Sequence, residues 1–488
     1  MFDPDKGRIY GACRLRLCDK LRSEEDAGNA LLLRRKGLRG QNAGRVHGIE
    51  LSGNKNKAVK MKVLKKIGKV VAVLFLVLML ALAALDIYLI KMPELRAKVK
   101  IDGIEDVACR IEDLTIQENV KVIGLGEASH GNAEFQELKL DVLKVLADQY
   151  NVDCFAMEMD YGEGVIINDY INGHSEMSID EVMSRIIFPI YRTEDIRDLI
   201  EWMKDHNRSH DDKLSFYGFD LQNPDADLKL ILDFVADNSI AEGAGLADIF
   251  DGYLNSNASF RDTGLREGFE ILNSLGTALK TGREAYQDLY NYDRILDCIE
   301  NVLRARELAA RYDGDNGMIE GARYRDRMMA LKVIELSESL DGSRMMITGH
   351  NGHIGYAGNF TRTMGSFIRD ELGGSYYAIG TDYFITDCNM PSGSGRRSNH
   401  RFVSGDILAY QAKMIGTYYL DFSMVSKETD VYKYVHEPIY TGSLGEGYSI
   451  RNTILQDTVR IYCEPEYLYD AMILIYECTP LNLLTEEN

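Results

Sequence analysis

Residues 120–131 read VKVIGLGEASHG. A short apolar run ends in a polar turn, and the turn carries Glu127 and His130. Residues 134–150 (EFQELKLDVLKVLADQY) then take helical spacing, with Phe135, Leu138, Val142, Val145 and Leu146 on one face. Strand, polar turn and helix open a βαβ unit. Further apolar runs lie at 153–157, 214–219, 343–348 and 376–379, with helical stretches at 196–206 and 324–340 among them. Strands separated by helices predict an α/β fold, a mostly parallel sheet flanked by helices on both faces. Residues 226–323 have helical patterning and no strand of comparable strength, so a helical insertion or lid is expected there. Runs with β character at 416–422 and 458–462 are expected to complete the fold.

Each of the first strands ends in reactive side chains. The first delivers Glu127 and His130, the second Glu158 and Asp160, the third Asp220. The fourth delivers His350 and His353, and the fifth runs into Asp382. In an open parallel sheet the carboxyl ends of the strands share one rim, and ligands bind there. A lone glutamate or histidine at a strand end is usually a cap or a surface group. The arrival of Glu127, His130, Glu158, Asp220, His350 and His353 at one rim is the stronger signal. The Gly-x-Gly at Gly124 and Gly126 lacks the rest of a dinucleotide fingerprint. No Gly-x-Ser-x-Gly occurs, so the usual α/β-hydrolase nucleophile is missing.

A histidine held by a carboxylate takes a proton from water near neutral pH. Glu127 precedes His130 by three positions across a turn, so both side chains can enter one cleft. Lys139, protonated His350 or His353, or backbone N–H groups are the expected donors to a developing oxyanion. Attack by Ser129 is the second route. Glu127, His130, Glu158, His350 and His353 are also suitable ligands for zinc or another divalent ion, although no HExxH is present. No cofactor is expected, with a divalent metal left open. A metal-dependent phosphoesterase or peptidase is therefore one alternative, and a non-catalytic exported domain that binds a small ligand is another. His400 and Arg401 form a candidate rim element. Trp202 reads as a packing residue.

These motifs carry a resemblance. GLGEASHG at 124–131, FAMEMD around Glu158, FYGFDLQ around Asp220, GHNGHIG at 349–355 and YYAIGTDY at 376–383 resemble the erythromycin esterase family, over about residues 100–480. The resemblance implies a hydrolase that opens a macrolactone or another carboxylic ester. It implies His130 as the base that activates water and Glu127 as the residue that orients it. Glu158, His350 and His353 would line the same cleft. Lys139 matches a basic position of the substrate-binding set where some members carry Arg, and Lys cannot offer the two-pronged grip of a guanidinium. Asp220, His400 and Arg401 are the other expected substrate contacts.

The chain has 488 residues, with 56 Lys and Arg against 76 Asp and Glu, a net charge of -20. Such an acidic surface disfavours DNA or RNA as a partner. The charge is uneven: residues 1–60 hold 14 basic and 7 acidic residues, whereas 92–488 hold 37 and 68. Between them sixteen apolar residues run from 70 to 85, and the stretch to 90 is broken only by Asp86. About twenty residues cross the hydrocarbon layer. Lys60, Lys62, Lys65, Lys66 and Lys69 precede the run, which keeps that end cytoplasmic. The expected plan is a basic disordered tail or upstream mis-start at 1–60, a signal anchor at 61–91, and an outward-facing catalytic domain at 92–488. The expected contact with the membrane is through residues 70–90. A cleaved signal peptide starting at Met61, with Ala81-Leu82-Ala83 near the cut, gives a secreted protein instead. Six of the eight cysteines fall in the outer domain, where pairing is open to them.

Overall fold

A computed structural model describes residues 53–255, 265–313, 316–358 and 361–484. The basic tail as far as residue 52, with Cys13 and Cys18, lies outside these residues. Among the described residues there are eleven strands: β1 (Ala108–Cys109), β2 (Val122–Glu127), β3 (Val152–Asp160), β4 (Ser215–Asp220), β5 (Arg344–His350), β6 (Tyr376–Pro391), β7 (Arg397–Val403), β8 (Tyr418–Asp421), β9 (Ile439–Gly442), β10 (Arg460–Cys463) and β11 (Ala471–Cys478). Nine form one sheet in the order β1-β8-β11-β6-β2-β5-β3-β4, with β7 paired to β6, and β9 and β10 form a separate ribbon. The six strands from β11 to β4 are all parallel; β7 and β8 run against them, and β1, antiparallel to β8, runs with them.

The parallel strands are apolar on both faces because both faces are covered. Successive side chains alternate between two cores. Ile123, Leu125, Phe155 and Met157 meet the helices Ala133–Tyr150 and Glu194–Ser209. Val122, Cys154, Ala156 and Ile347 meet the helices Gly317–Ser339 and Met364–Leu372. Each fully buried Val, Leu or Ile contributes about 1.5–3 kcal/mol. Trp202 packs against the first core, as expected. Within 226–323 the described residues are helical and carry no strand. They build a third core, in which Leu228, Ile231, Phe250, Phe269 and Val302 close over Tyr161 and Val165 of the helix Tyr161–Ile171.

The strands reach further than the apolar runs alone. β2, β3, β4 and β5 each continue into Glu127, Glu158, Asp220 and His350, so these polar residues sit on strand ends rather than in loops. β6 runs to Pro391, not to 379, because β7 returns alongside it from Ile385 onward. The long helix starts at Gly317 rather than at 324.

The described residues fall into two units that meet between Val77 and Leu78. An apolar helix begins at Gly53, and the helical stretch Met61–Ala97 is long and apolar enough to cross a membrane once. Leu74, Phe75 and Leu76 are 62%, 63% and 58% exposed. The six cysteines open to pairing are all free, and four of them are buried core residues.

Candidate active site

The rim gathers five of the expected residues, Glu127, His130, Glu158, His350 and His353. Glu127 ends β2 and is buried. Its Oε1 lies 2.8 Å from Lys139 Nζ, and its Oε2 lies 3.5 Å from His130 Nδ1. One carboxylate thus spans an amine and an imidazole; burial lowers the Lys139 pKa, with Glu127 opposing. Burial alone would raise the Glu127 pKa, but Lys139 and His130 outweigh it and hold the carboxyl below the usual range. His130 moves the other way. Burial opposes its charge, yet Glu127, helped by Glu158, raises the pKa. With Nδ1 facing Glu127, the second ring nitrogen is left for water.

Glu158 is the second anchor. Its Oε2 accepts a 2.7 Å hydrogen bond from the His350 backbone N–H, and its Oε1 accepts one of 2.7 Å from Arg325 Nη2. Burial would raise its pKa, but His353, Arg325 and His130 hold it well below the ordinary carboxylate range. Gly349, one residue before His350, leaves room for Glu158: a Cβ there would lie 2.7 Å from Oε2 and force the carboxylate to shift.

His350 follows directly. Its ring centroid is 4.8 Å from that of His130 and 6.3 Å from that of His353. Burial, together with His130 and His353, pushes its pKa down to about 3. The expectation of a protonated His350 is therefore corrected: near neutral pH this ring carries no charge. Its Nδ1 accepts from the Gly352 N–H at 3.2 Å, so the ring hydrogen sits on Nε2. That nitrogen is buried and has no partner, which makes it a free donor inside the site.

The structure adds Arg325 and Asp326, which the sequence reading missed. Both project from Gly317–Ser339 and are buried. Arg325 donates to Asp220 through Nε at 2.8 Å and through Nη2 at 2.7 Å, and Nη2 is shared with Glu158. Its Nη1 faces His353 Nε2 at 3.0 Å, while His353 Nδ1 faces Asp326 Oδ1 at 2.7 Å. Burial disfavours a charged His353, but Asp326 and Glu158 outweigh it and raise the pKa, with Arg325 opposing.

Two expected substrate contacts lie beneath the rim instead. Lys139 has no exposed surface and holds Glu127, Phe135 O and Gln136 Oε1. Asp220 has none either and holds Arg325. Both therefore act on other side chains rather than on a substrate. His400 and Arg401 lie on β7: His400 stacks on Tyr448, and Arg401 pairs with Asp387 and Glu477. Neither lines the cavity described next. Ser129 is fully buried, and its hydroxyl donates to Asn132 Oδ1.

A cavity of about 530 Å³ opens on His350, His353 and Asp326. Met318, Ile319, Ala322, Val459 and Ile461 supply apolar walls, and Ser443, Thr361 and Thr363 add hydroxyls. As for a metal, no group of three or more His, Cys, Asp or Glu among the described residues is arranged to hold an ion. The carboxylates that would serve as ligands are already held by Lys139 and Arg325.

The profile of the erythromycin esterase family matches residues 148–478. This match starts after Glu127, His130 and Lys139, so their place in the site rests on the geometry. Erythromycin esterase type II of Escherichia coli is 23% identical over 290 residues, which span 54% of this chain and 68% of that protein. Among solved structures, a succinoglycan biosynthesis protein superimposes with a TM-score of 0.62 at 18% identity, over 81% of this chain and 99% of the other. A histidine-to-asparagine mutant of the erythromycin esterase EreC, in its open conformation, gives a TM-score of 0.54 at 15% identity, over 75% and 93%. These two likenesses concern the fold.

Proposed function

Because the chain belongs to the erythromycin esterase family, we propose that this hydrolase opens a carboxylic ester, a macrolactone among them, with a water molecule activated by His130. The observation that carries the reading is the Lys139–Glu127–His130 row beside a neutral His350. Glu127 fixes Nδ1 of His130, so the other ring nitrogen takes the proton as water attacks the acyl carbon. The carbonyl oxygen becomes an oxyanion, and the free Nε2–H of His350 is the donor placed to receive it. Collapse of the tetrahedral intermediate breaks the bond to the alkoxide oxygen. The proton on His130 passes to that oxygen, and the products are an acid and an alcohol.

Arg325 and Asp326 hold His353 from two sides, and His353 with Glu158 shapes the floor of the site. The apolar walls of the cavity favour an uncharged ester with a bulky hydrocarbon body. Lys139 and Arg325 lie against the carboxylates of Glu127, Glu158 and Asp220, and the proposal routes no step through a metal.

The test is mass spectrometry of erythromycin incubated with the full chain in detergent. A gain of one water, retained in EDTA and lost in His130→Ala, supports the reading. No gain across erythromycin and a panel of simpler esters overturns it.

A further inference from the structure

The end of the apolar helix does not hang free of the catalytic domain. Leu82, Leu85 and Leu89 line a cleft with Val403, Thr453 and Gln456. Beside it lies a groove of about 410 Å³, with Tyr88 and Met92 on one side and Tyr440, Leu455 and Tyr462 on the other. Its apolar side chains are open, with Tyr88 56% exposed, Leu455 45% and Tyr462 61%, and Arg96 and Asp457 add charged groups to the lining. The Tyr440 and Tyr462 rings pack with centroids 4.7 Å apart and leave their outer faces bare.

We propose that this groove seats in the headgroup layer of a lipid bilayer and holds the active-site cavity against it, so that the enzyme draws uncharged esters dissolved in the membrane. The proposal rests on the hydrolase reading and on residues 70–90 spanning the membrane. The argument is one of distance. The apolar run ends at residue 90, and residues 88–96 already line the groove. No linker separates span from groove, so a spanning helix leaves the groove nowhere to lie except at the membrane surface. Tyrosines and aliphatic side chains suit that layer, where one part of a ring is apolar and the hydroxyl is wet. Leaving the same surface in water costs about 25 cal/mol per Å². Thr458 borders both the groove and the catalytic cavity, so a single segment separates the two. At the cavity, Met318 and Ile319 are 79% and 51% exposed, which continues the apolar surface toward the site.

Trp202 is the sole tryptophan and serves as an internal control. The full chain is reconstituted in phosphatidylcholine vesicles, once as wild type and once as Tyr462→Trp with Trp202→Phe. Flotation first establishes membrane attachment. Bromine-labelled lipid is expected to quench the introduced indole by about half, as for a ring at headgroup depth, and to leave the wild-type Trp202 signal unchanged. Protein that fails to float overturns the spanning helix and the groove proposal together. Floating protein whose introduced indole is quenched by aqueous iodide and not by lipid overturns the groove alone. Shielding from both quenchers means that a second copy of the chain covers the groove, and overturns it equally. In a second assay, Tyr440→Ser with Tyr462→Ser is expected to lose about tenfold in rate on a long-chain ester held in vesicles, the order of one or two buried aromatic contacts, and to keep its rate on a short soluble ester. Equal rates on both esters would refute the delivery role, and absence of any ester hydrolysis by the wild type would refute the hydrolase reading instead.

Discussion

Arg325 grips Asp220 with two parallel hydrogen bonds of 2.8 and 2.7 Å, and the nitrogen that makes the second also reaches Glu158. A guanidinium suits this task because its fork is planar and permanently charged. Arg325→Ala leaves two buried carboxylates without their cation, and a loss of about 3–5 kcal/mol in unfolding free energy is expected. Arg325→Lys keeps the charge and loses the fork, so urea denaturation is expected to place it between wild type and Arg325→Ala. Equal stability of all three proteins would refute the bridging role.

Activity should rise with pH, because His130 must be neutral to accept a proton. Glu127 raises the His130 pKa, so the midpoint is expected above the ordinary histidine value of about 6.5. Glu127→Gln removes the charge that raises it. The midpoint then moves to lower pH, and the plateau rate falls by about 10²-fold or more as the base loses its orientation. A midpoint that stays in place would separate Glu127 from His130.

The same pair links protonation to folding. Because the folded His130 pKa lies above the unfolded one, its contribution to stability is full below the unfolded value and fades as pH rises through the folded one. The base is thus freed for catalysis in the range where it contributes least to the fold.

Ser129→Ala is expected to keep the wild-type rate within about twofold, since the hydroxyl is buried against Asn132 and away from the attacking water. Single-turnover kinetics with an activated ester should display no burst. A burst abolished by Ser129→Ala would establish an acyl enzyme and remove the water mechanism.

Glu163 offers a stability test away from the rim. Burial beside Asp227 and Asp220 pushes its pKa up to about 8, and Asp227 is likewise pushed up to about 7. The unfolded chain loses these protons near pH 4 to 4.5, while the fold retains them, so stability falls as pH rises from there toward the folded values. Glu163→Gln keeps an oxygen to accept the Ile187 N–H and has no proton to lose. A higher Tm at pH 8 and little change at pH 5 are expected. The opposite pattern would mean that the carboxylate is ionised and paired in the fold.

Much of this arrangement is legible along the chain. A strand of alternating faces, ending in Glu127 or His350, announces a rim because backbone geometry ties side-chain direction to position. Arg325 and Asp326 are hidden for the converse reason. They lie in the charged run RYRDR of a long helix, which reads as a solvated face, and only the packing of that helix beside Glu158 and Asp220 turns them inward. Lys139 misleads in its own way. Its match to a basic position is visible in sequence, but its depth is not, because depth depends on Phe135, Gln136 and Glu127 closing around it in three dimensions. The far half of β6 went unread because its alternation of polar and apolar residues reflects a hairpin with β7, not the two covered faces of a parallel strand.

β11 lies between β6 and β8 although it follows both in the chain. During synthesis the edge of β6 therefore stays open until residues 471–478 have been made. At about 5–20 residues per second that interval lasts many seconds. The nascent protein carries a bare strand edge throughout it, which is a template for wrong pairing. The central strand pairing of this sheet thus waits on nearly the last residues of the fold, and the order of synthesis sets when the sheet can close.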